Sequence, residues 1–325
     1  MNQSTTIAKQ PETPATALDF VWLELTNRCN LQCVHCYAES GPTEGKTDVL
    51  TESDYLNLIE QVHELGCRKI QFIGGEPTLN RSLPKLIEAA FHKGFELIEV
   101  FTNLIRISDD LLDVFCRFDV AIATSVYSYN PKTHDAITRQ SGSFARTTAN
   151  MRKILDAGLP LRVGIVEMEE NKNDFAATQK FLEDFGIETI GKDHLRAIGR
   201  ADHSECSGME ELCGNCAGNI LSIGPDGVVS PCIMSKQWAV GSIFESQLAE
   251  IAGSQKLNNL RNNIYVATQQ TNEKYEMGGC NPDRPNRCNP DYGGPCNPCN
   301  PNQPCGPNSC QPVRRSTNNS LQLNV

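Results

Sequence analysis

Val21-Trp-Leu-Glu-Leu25 runs through Thr26-Asn-Arg into Cys29-Asn-Leu-Gln-Cys33-Val-His-Cys36, and this junction governs the reading of the whole chain. The first five residues are apolar at four of their positions and read as a strand. The loop after them holds three thiols within eight residues. Three thiolates so spaced can wrap one corner of a cubane iron–sulfur cluster and leave one iron open to another molecule, as a catalytic zinc site keeps a free position. A zinc knuckle is the competing reading, with His35 inside the loop and a fourth ligand required nearby.

Outward from this junction the pattern repeats. Lys69–Ile73, Glu96–Phe101, Asp119–Thr124, Leu161–Val166 and Ile187–Ile190 also read as strands, with helical stretches between most of them. The first helix sets Tyr55, Leu58, Ile59, Val62 and Leu65 on one face, opens with a Thr51/Asp54 capping box and stops at Gly66. Others start near Ser82, Ser108, Phe144 and Asn173. Six strands alternating with helices predict an α/β fold with a parallel sheet, doubly wound or an incomplete barrel. Either form gathers ligands at the carboxyl ends of the strands, where the cysteine loop lies.

Composition narrows the function classes. The formal charge is -10, from 29 Lys+Arg against 39 Asp+Glu, which excludes nucleic acid as the main partner. No apolar run approaches a membrane span, and residues 1–20 lack the basic start and apolar stretch of a secretory signal. A cytoplasmic location is expected. The fifteen cysteines then point to metal rather than disulfides, given the length, the odd count and the missing signal. Cys67 and Cys116 read as buried small hydrophobes.

The Cys-x3-Cys-x2-Cys loop after the first strand, joined to Gly74-Gly75-Glu76-Pro77 after the second, resembles the radical S-adenosylmethionine superfamily. The resemblance covers about residues 20–200 and implies a partial (β/α)6 TIM-like barrel. It also implies Cys29, Cys33 and Cys36 as ligands of a [4Fe-4S] cluster whose open iron chelates S-adenosylmethionine. Reductive cleavage of that molecule gives a 5′-deoxyadenosyl radical. Gly74 and Gly75 would let the backbone approach the ligand, and Glu76 would offset its ammonium. His35 would lie against adenine, with Thr102, Asn103 and Ser125 at the ribose or methionine part. Arg139 would pair with the methionine carboxylate, or is a solvated loop charge. Arg196 and Arg200 resemble a segment that precedes an extra cluster domain, with a structural salt bridge as the alternative.

A second constellation resembles that extra domain, the SPASM or shorter twitch form. Cys213-Gly-Asn-Cys216 precedes a hairpin-like run, Asn219–Ser230, turned at Pro225-Asp226-Gly227, and then Cys232. A helix from about Glu245 to Leu260 is expected next. The tail adds Cys288, Cys296, Cys299, Cys305 and Cys310, with one residue more than the family pattern in the last gap and no later cysteine. Ten cysteines remain once Cys29, Cys33, Cys36, Cys67 and Cys116 are set aside. Two auxiliary [4Fe-4S] clusters would use eight, leaving two spare, such as Cys206 and either Cys280 or Cys288. A zinc ribbon in the tail is the alternative. The expected division is a disordered 1–18, a barrel over 19–200, a C-terminal Cys-rich auxiliary domain over 201–312 and a disordered 313–325.

The resemblance implies an enzyme that removes hydrogen from a substrate, most often a ribosomally made precursor peptide, to form a carbon–carbon, thioether or ether crosslink. Gly142–Phe144, Tyr127 and Tyr129 resemble that branch, and the two tyrosines also read as packing residues. Redox-neutral peptide epimerisation, oxidation of a small sugar or amino acid, and a non-catalytic iron–sulfur or zinc protein stay open. A flavodoxin- or ferredoxin-like electron donor is implied. With about twenty polar residues before the first strand, a separate leader-binding protein is one route for peptide delivery.

Overall fold

The computed structural model describes residues 17–43, 45, 47–202 and 208–272. Six parallel strands, β1 (Phe20–Glu24), β2 (Lys69–Ile73), β3 (Leu97–Phe101), β4 (Ala121–Ser125), β5 (Leu161–Glu167) and β6 (Thr189–His194), follow one another in spatial order. Helices α1 (Glu52–Glu64), α2 (Leu83–Lys93), α3 (Asp109–Arg117), α4 (Pro131–Thr138), α5 (Ser143–Asp156) and α6 (Phe175–Phe185) connect them. The sheet stays open between its end strands, so the architecture is a partial barrel.

Strand alternation decides what lies outside and inside. Val21, Leu23, Ile70, Phe72, Ile98, Val100, Val163 and Ile165 join the buried faces of the helices in the main core. The opposite faces of β1 to β3 carry Phe20, Trp22, Ile73, Leu97 and Phe101, which pack with the residues after 208. Helix ends follow the sequence signals. Thr51 and Asp54 form the capping box, Ser108 caps α3, and Gly94 and Gly186 close α2 and α6 in the left-handed region.

The hairpin forms as β7 (Ile220–Ile223) and β8 (Val228–Ser230), with β9 (Gly241–Ser242) beyond it. What the sequence did not disclose is that β7 also pairs in parallel with β1, Val21 opposite Leu221. One nine-stranded sheet therefore runs β6-β5-β4-β3-β2-β1-β7-β8-β9.

Three expectations need correction. The helix expected over Glu245–Leu260 is two helices, α7 (Leu248–Ala252) and α8 (Gln255–Asn272), parted at Gly253 and Ser254. Gly253 weakens the helix, and the Ser254 hydroxyl accepts from Leu257 N at 3.2 Å, starting a new one. Helix α4 was not foreseen, although Asn130 caps it and Pro131 opens it. Cys116 is exposed rather than buried, whereas Cys67 is buried as expected.

Candidate active site at the strand ends

The loop after β1 is held on several sides before any ligand is considered. Arg28 and Gly41 form an isolated bridge, and Cys29 N donates to Gly41 O at 3.2 Å. Gln32 N and Val34 N donate to Thr138 O and Ile137 O at the end of α4, at 3.2 and 2.9 Å. Asp48 accepts from the Thr26 hydroxyl and from Asn27 N. Cys29 is buried, and Cys33 and Cys36 are half-buried.

Burial pushes the Cys29 thiol up to about 12, with the nearby Glu76 carboxylate adding to the rise. Burial raises Cys33 as well, and Cys36 adds to it. Thiols so desolvated become thiolates only beside a cation, the condition a cluster supplies. Among the described residues, no three His, Cys, Asp or Glu side chains converge on a single-ion position. Three thiols on one loop, each able to bind its own iron, fit a multi-iron cluster.

Gly74-Gly75-Glu76-Pro77 acts on this loop in a way the motif alone did not show. A Cβ on Gly74 would lie 2.6 Å from Thr26 O, and one on Gly75 would lie 2.2 Å from Arg28 O. The glycines thus admit the backbone of the cysteine loop itself, with Gly75 N donating to Thr26 O at 2.7 Å and Glu76 N to Arg28 O at 2.9 Å. Glu76 is buried and accepts four hydrogen bonds. Thr78 N, Thr78 Oγ1 and Thr102 Oγ1 reach Oε1 at 3.1, 2.7 and 2.7 Å, and Asn103 N reaches Oε2 at 2.8 Å. Burial raises this carboxyl while those donors pull it back down. Pro77 is buried at the start of a single 3-10 turn.

Thr102 is therefore a partner of Glu76, and Asn103 turns its side chain to the cysteine loop. Its Nδ2 lies 2.7 Å from Asn30 Oδ1 and 3.7 Å from Cys29 Sγ. Ser125, half-buried, lies close to the Tyr127 hydroxyl. Tyr127 meets the His35 ring edge-to-face, centroids 4.6 Å apart, and the His134 ring at a tilt, centroids 5.5 Å apart. Burial, with Arg200 second, lowers His35 to about 4, so it stays a neutral ring at the loop. Its Nδ1 has no hydrogen-bond partner in the structure. Arg139 stands exposed at the left-handed C-cap of α4. The next turn is ordered by Asp135 instead, which accepts from Gly142 N, Ser143 Oγ and Phe144 N at 2.6, 2.8 and 2.9 Å.

At the second constellation, Cys216 and Cys232 stand sulfur to sulfur with Cα atoms 5.5 Å apart, an arrangement open to a shared metal site as to a disulfide. The hairpin brings its two ends together, so the sulfurs meet. Cys213 is a half-buried thiol. Arg196 is a salt bridge to Asp193, 2.8 Å at Nη2, and donates from Nη1 to Glu211 O. Cys206, Cys280, Cys288, Cys296, Cys299, Cys305 and Cys310 lie outside the described residues. Asp48, Thr78 and Asp135 were not foreseen. An Asx or capping role shows only once its distant partner is in place.

Residues 23–182 match the radical SAM superfamily, and residues 204–289 match the iron-sulfur cluster-binding SPASM domain. The chain belongs to the radical S-adenosylmethionine superfamily, in its SPASM-bearing group, and its cofactors are S-adenosylmethionine and [4Fe-4S] clusters. It is 23% identical over 271 residues to the antilisterial bacteriocin subtilosin biosynthesis protein AlbA of Bacillus subtilis, covering 73% of this chain and 60% of that protein. A GTP 3',8-cyclase of Petrotoga mobilis is 29% identical over 187 residues, 56% of this chain and 55% of its own. The chain thus spans a little over half the length of these relatives. Streptococcus suis SuiB bound to precursor peptide SuiA shares the fold, with a TM-score of 0.62 at 13% identity over 75% of this chain and 67% of its own. No helix among the described residues is long and apolar enough to cross a membrane.

Proposed function

We propose that the chain is a radical maturase that installs an oxidative crosslink, carbon–carbon, thioether or ether, in a ribosomally made peptide. One observation carries this reading: the β7–β8 hairpin, flanked by Cys216 and Cys232, is hydrogen-bonded through β7 to β1, which leads to Cys29. One sheet therefore carries both thiol sites, Cys29 beyond the end of β1 and Cys216 and Cys232 at the opposite end of the neighbouring hairpin. The likeness to AlbA, which runs through both domains, supports a peptide substrate.

When bound, the cluster and S-adenosylmethionine supply a 5′-deoxyadenosyl radical that removes a hydrogen atom. Cys29, Cys33 and Cys36 would hold the cluster, with His35, Gly74, Gly75, Glu76, Pro77, Thr102, Asn103, Ser125 and Arg139 forming or shaping the S-adenosylmethionine site. Their detailed roles divide as the hydrogen bonds do. The Glu76 knot fixes the ends of β2 and β3, and His35 offers an unpartnered buried nitrogen. Reduced, Cys216 and Cys232 would join Cys213 and the tail cysteines as auxiliary ligands for two clusters. The barrel end is read as 200 and the auxiliary domain as 201–312. A flavodoxin- or ferredoxin-like donor, a separate leader-binding protein and a cytoplasmic, reducing location complete the reading.

The test is anaerobic reconstitution with S-adenosylmethionine, a strong reductant and candidate precursor peptides. Formation of 5′-deoxyadenosine, absent in C29A, with loss of two hydrogens from the peptide is the expected result. Unchanged peptide mass with solvent deuterium uptake would make it an epimerase. Oxidation confined to a small sugar or amino acid would replace the peptide. No 5′-deoxyadenosine from the unmutated chain would overturn the radical assignment.

A further inference from the structure

After β6 the chain turns back against the cysteine loop at Gly199 and Arg200. Gly199 has φ +61, and a Cβ there would lie 2.3 Å from Tyr37 O and 2.7 Å from Cys36 O. The close approach lets Arg200 N donate to Cys36 O at 3.0 Å. The guanidinium of the same residue donates from Nη1 to Cys33 O and from Nη2 to Ser40 O, the latter at 2.8 Å. One residue thus binds carbonyls of Cys33, Cys36 and Ser40. Main chain and side chain of Arg200 together bond both of the last two cysteines of the loop.

The charge matters as much as the reach. The guanidinium is fixed on the loop itself, held between the Cys33 and Ser40 carbonyls. Lys236, over the Tyr37 ring at 5.8 Å, is paired with Glu24. A cluster held by three thiolates gains one more negative charge on reduction. A fixed guanidinium beside it favours the reduced form, since net charge and hydrogen bonding set such potentials.

We infer that Arg200 is a positioning residue of the cysteine loop, clamping Cys33 and Cys36 and raising the reduction potential of the cluster they hold. The inference rests on the radical-enzyme reading. It gives the segment between β6 and the auxiliary domain a role at the first cluster rather than the second.

The test uses the full chain, reconstituted anaerobically, with R200Q and R200K. Iron and sulfide content, resistance of the cluster to a chelator, and its midpoint potential from electron paramagnetic resonance titration are measured. R200Q is expected to move the midpoint negative by about 59 mV or more, a tenfold change in the one-electron equilibrium. R200K is expected to keep the potential but to lose iron faster, because an ammonium lacks the fork that spans two carbonyls. A folded R200Q that holds no cluster supports the clamp and leaves the potential of R200K to decide the charge. An R200Q midpoint equal to that of the unmutated chain overturns the charge role. An R200K cluster as resistant as the original overturns the clamp. A chain unfolded by R200Q, seen by circular dichroism, makes Arg200 a folding residue and overturns both. Failure of the unmutated chain to assemble a cluster is a separate result, against the radical-enzyme reading itself.

Discussion

Arg162 reaches across β4 to hold Glu99 with two prongs, Nε to Oε1 at 2.7 Å and Nη2 to Oε2 at 2.8 Å. The strand between them makes room, because the positions in register with Glu99 and Arg162 are Ala121 and Ala123. Glu99 is 2% exposed, and it also takes the Gln71 amide on the next strand. This pair ties β3 to β5 on the inner face of the sheet.

Truncating either partner breaks this buried, two-pronged pair. E99A or R162A is expected to cost about 3–5 kcal/mol in urea or thermal melts. The double variant should cost clearly less than the sum of the two. Additive losses would show that the two side chains act independently.

Gly75 sits where any side chain meets the cysteine loop. G75A is expected to lower iron uptake on reconstitution sharply, since its Cβ would stand 2.2 Å from Arg28 O. G45A has nothing within 4 Å and is the control. Equal iron content in the two variants would contradict the close packing of Gly75 on the loop.

Glu76 has only donors around it. In E76Q the amide nitrogen must face at least one of Asn103 N, Thr78 or Thr102, and the loss is expected to be about 1–3 kcal/mol. A melt unchanged by E76Q would mean that the knot rearranges without cost.

His134 gives the fold a pH dependence. Its Nδ1 accepts from Tyr127 N, and burial lowers it to about 4 from the ordinary 6.5. The unfolded chain binds this proton below 6.5, whereas the folded chain binds it only below about 4. The contribution to stability is thus complete above 6.5, fades as pH falls, and is gone below about 4, on the order of 3 kcal/mol in all. Denaturation of H134Q should fall less between neutral and acid pH than that of the original chain. Parallel pH curves would remove His134 from this role.

Much of the barrel was legible because its signals are local. Strand runs, the Thr51/Asp54 box and the glycine stops each need only a few neighbouring residues. The cysteine loop was legible for the same reason. What stayed hidden depends on partners distant in the chain. Glu76 is read from its motif as a ligand for an ammonium, yet its bonds go to Thr102 and Asn103, 26 and 27 residues on. Arg200 meets the loop from 160 residues away or more. The pairing of β7 with β1 left no mark either, because Ile220–Ile223 is apolar enough to serve in a hairpin alone.

That pairing has a practical side for anyone building chimaeras. Asp19 N donates to Asn219 O, and Pro225 O takes both Val49 N and Leu50 N, so the hairpin is stitched to the barrel along its length. A transplant that cut at residue 200 would strip β1 of a neighbour and leave a raw edge open to other chains. Any exchange of the cysteine-rich half between relatives has to carry Ile220–Ile223 with a matching first strand, or rebuild both together.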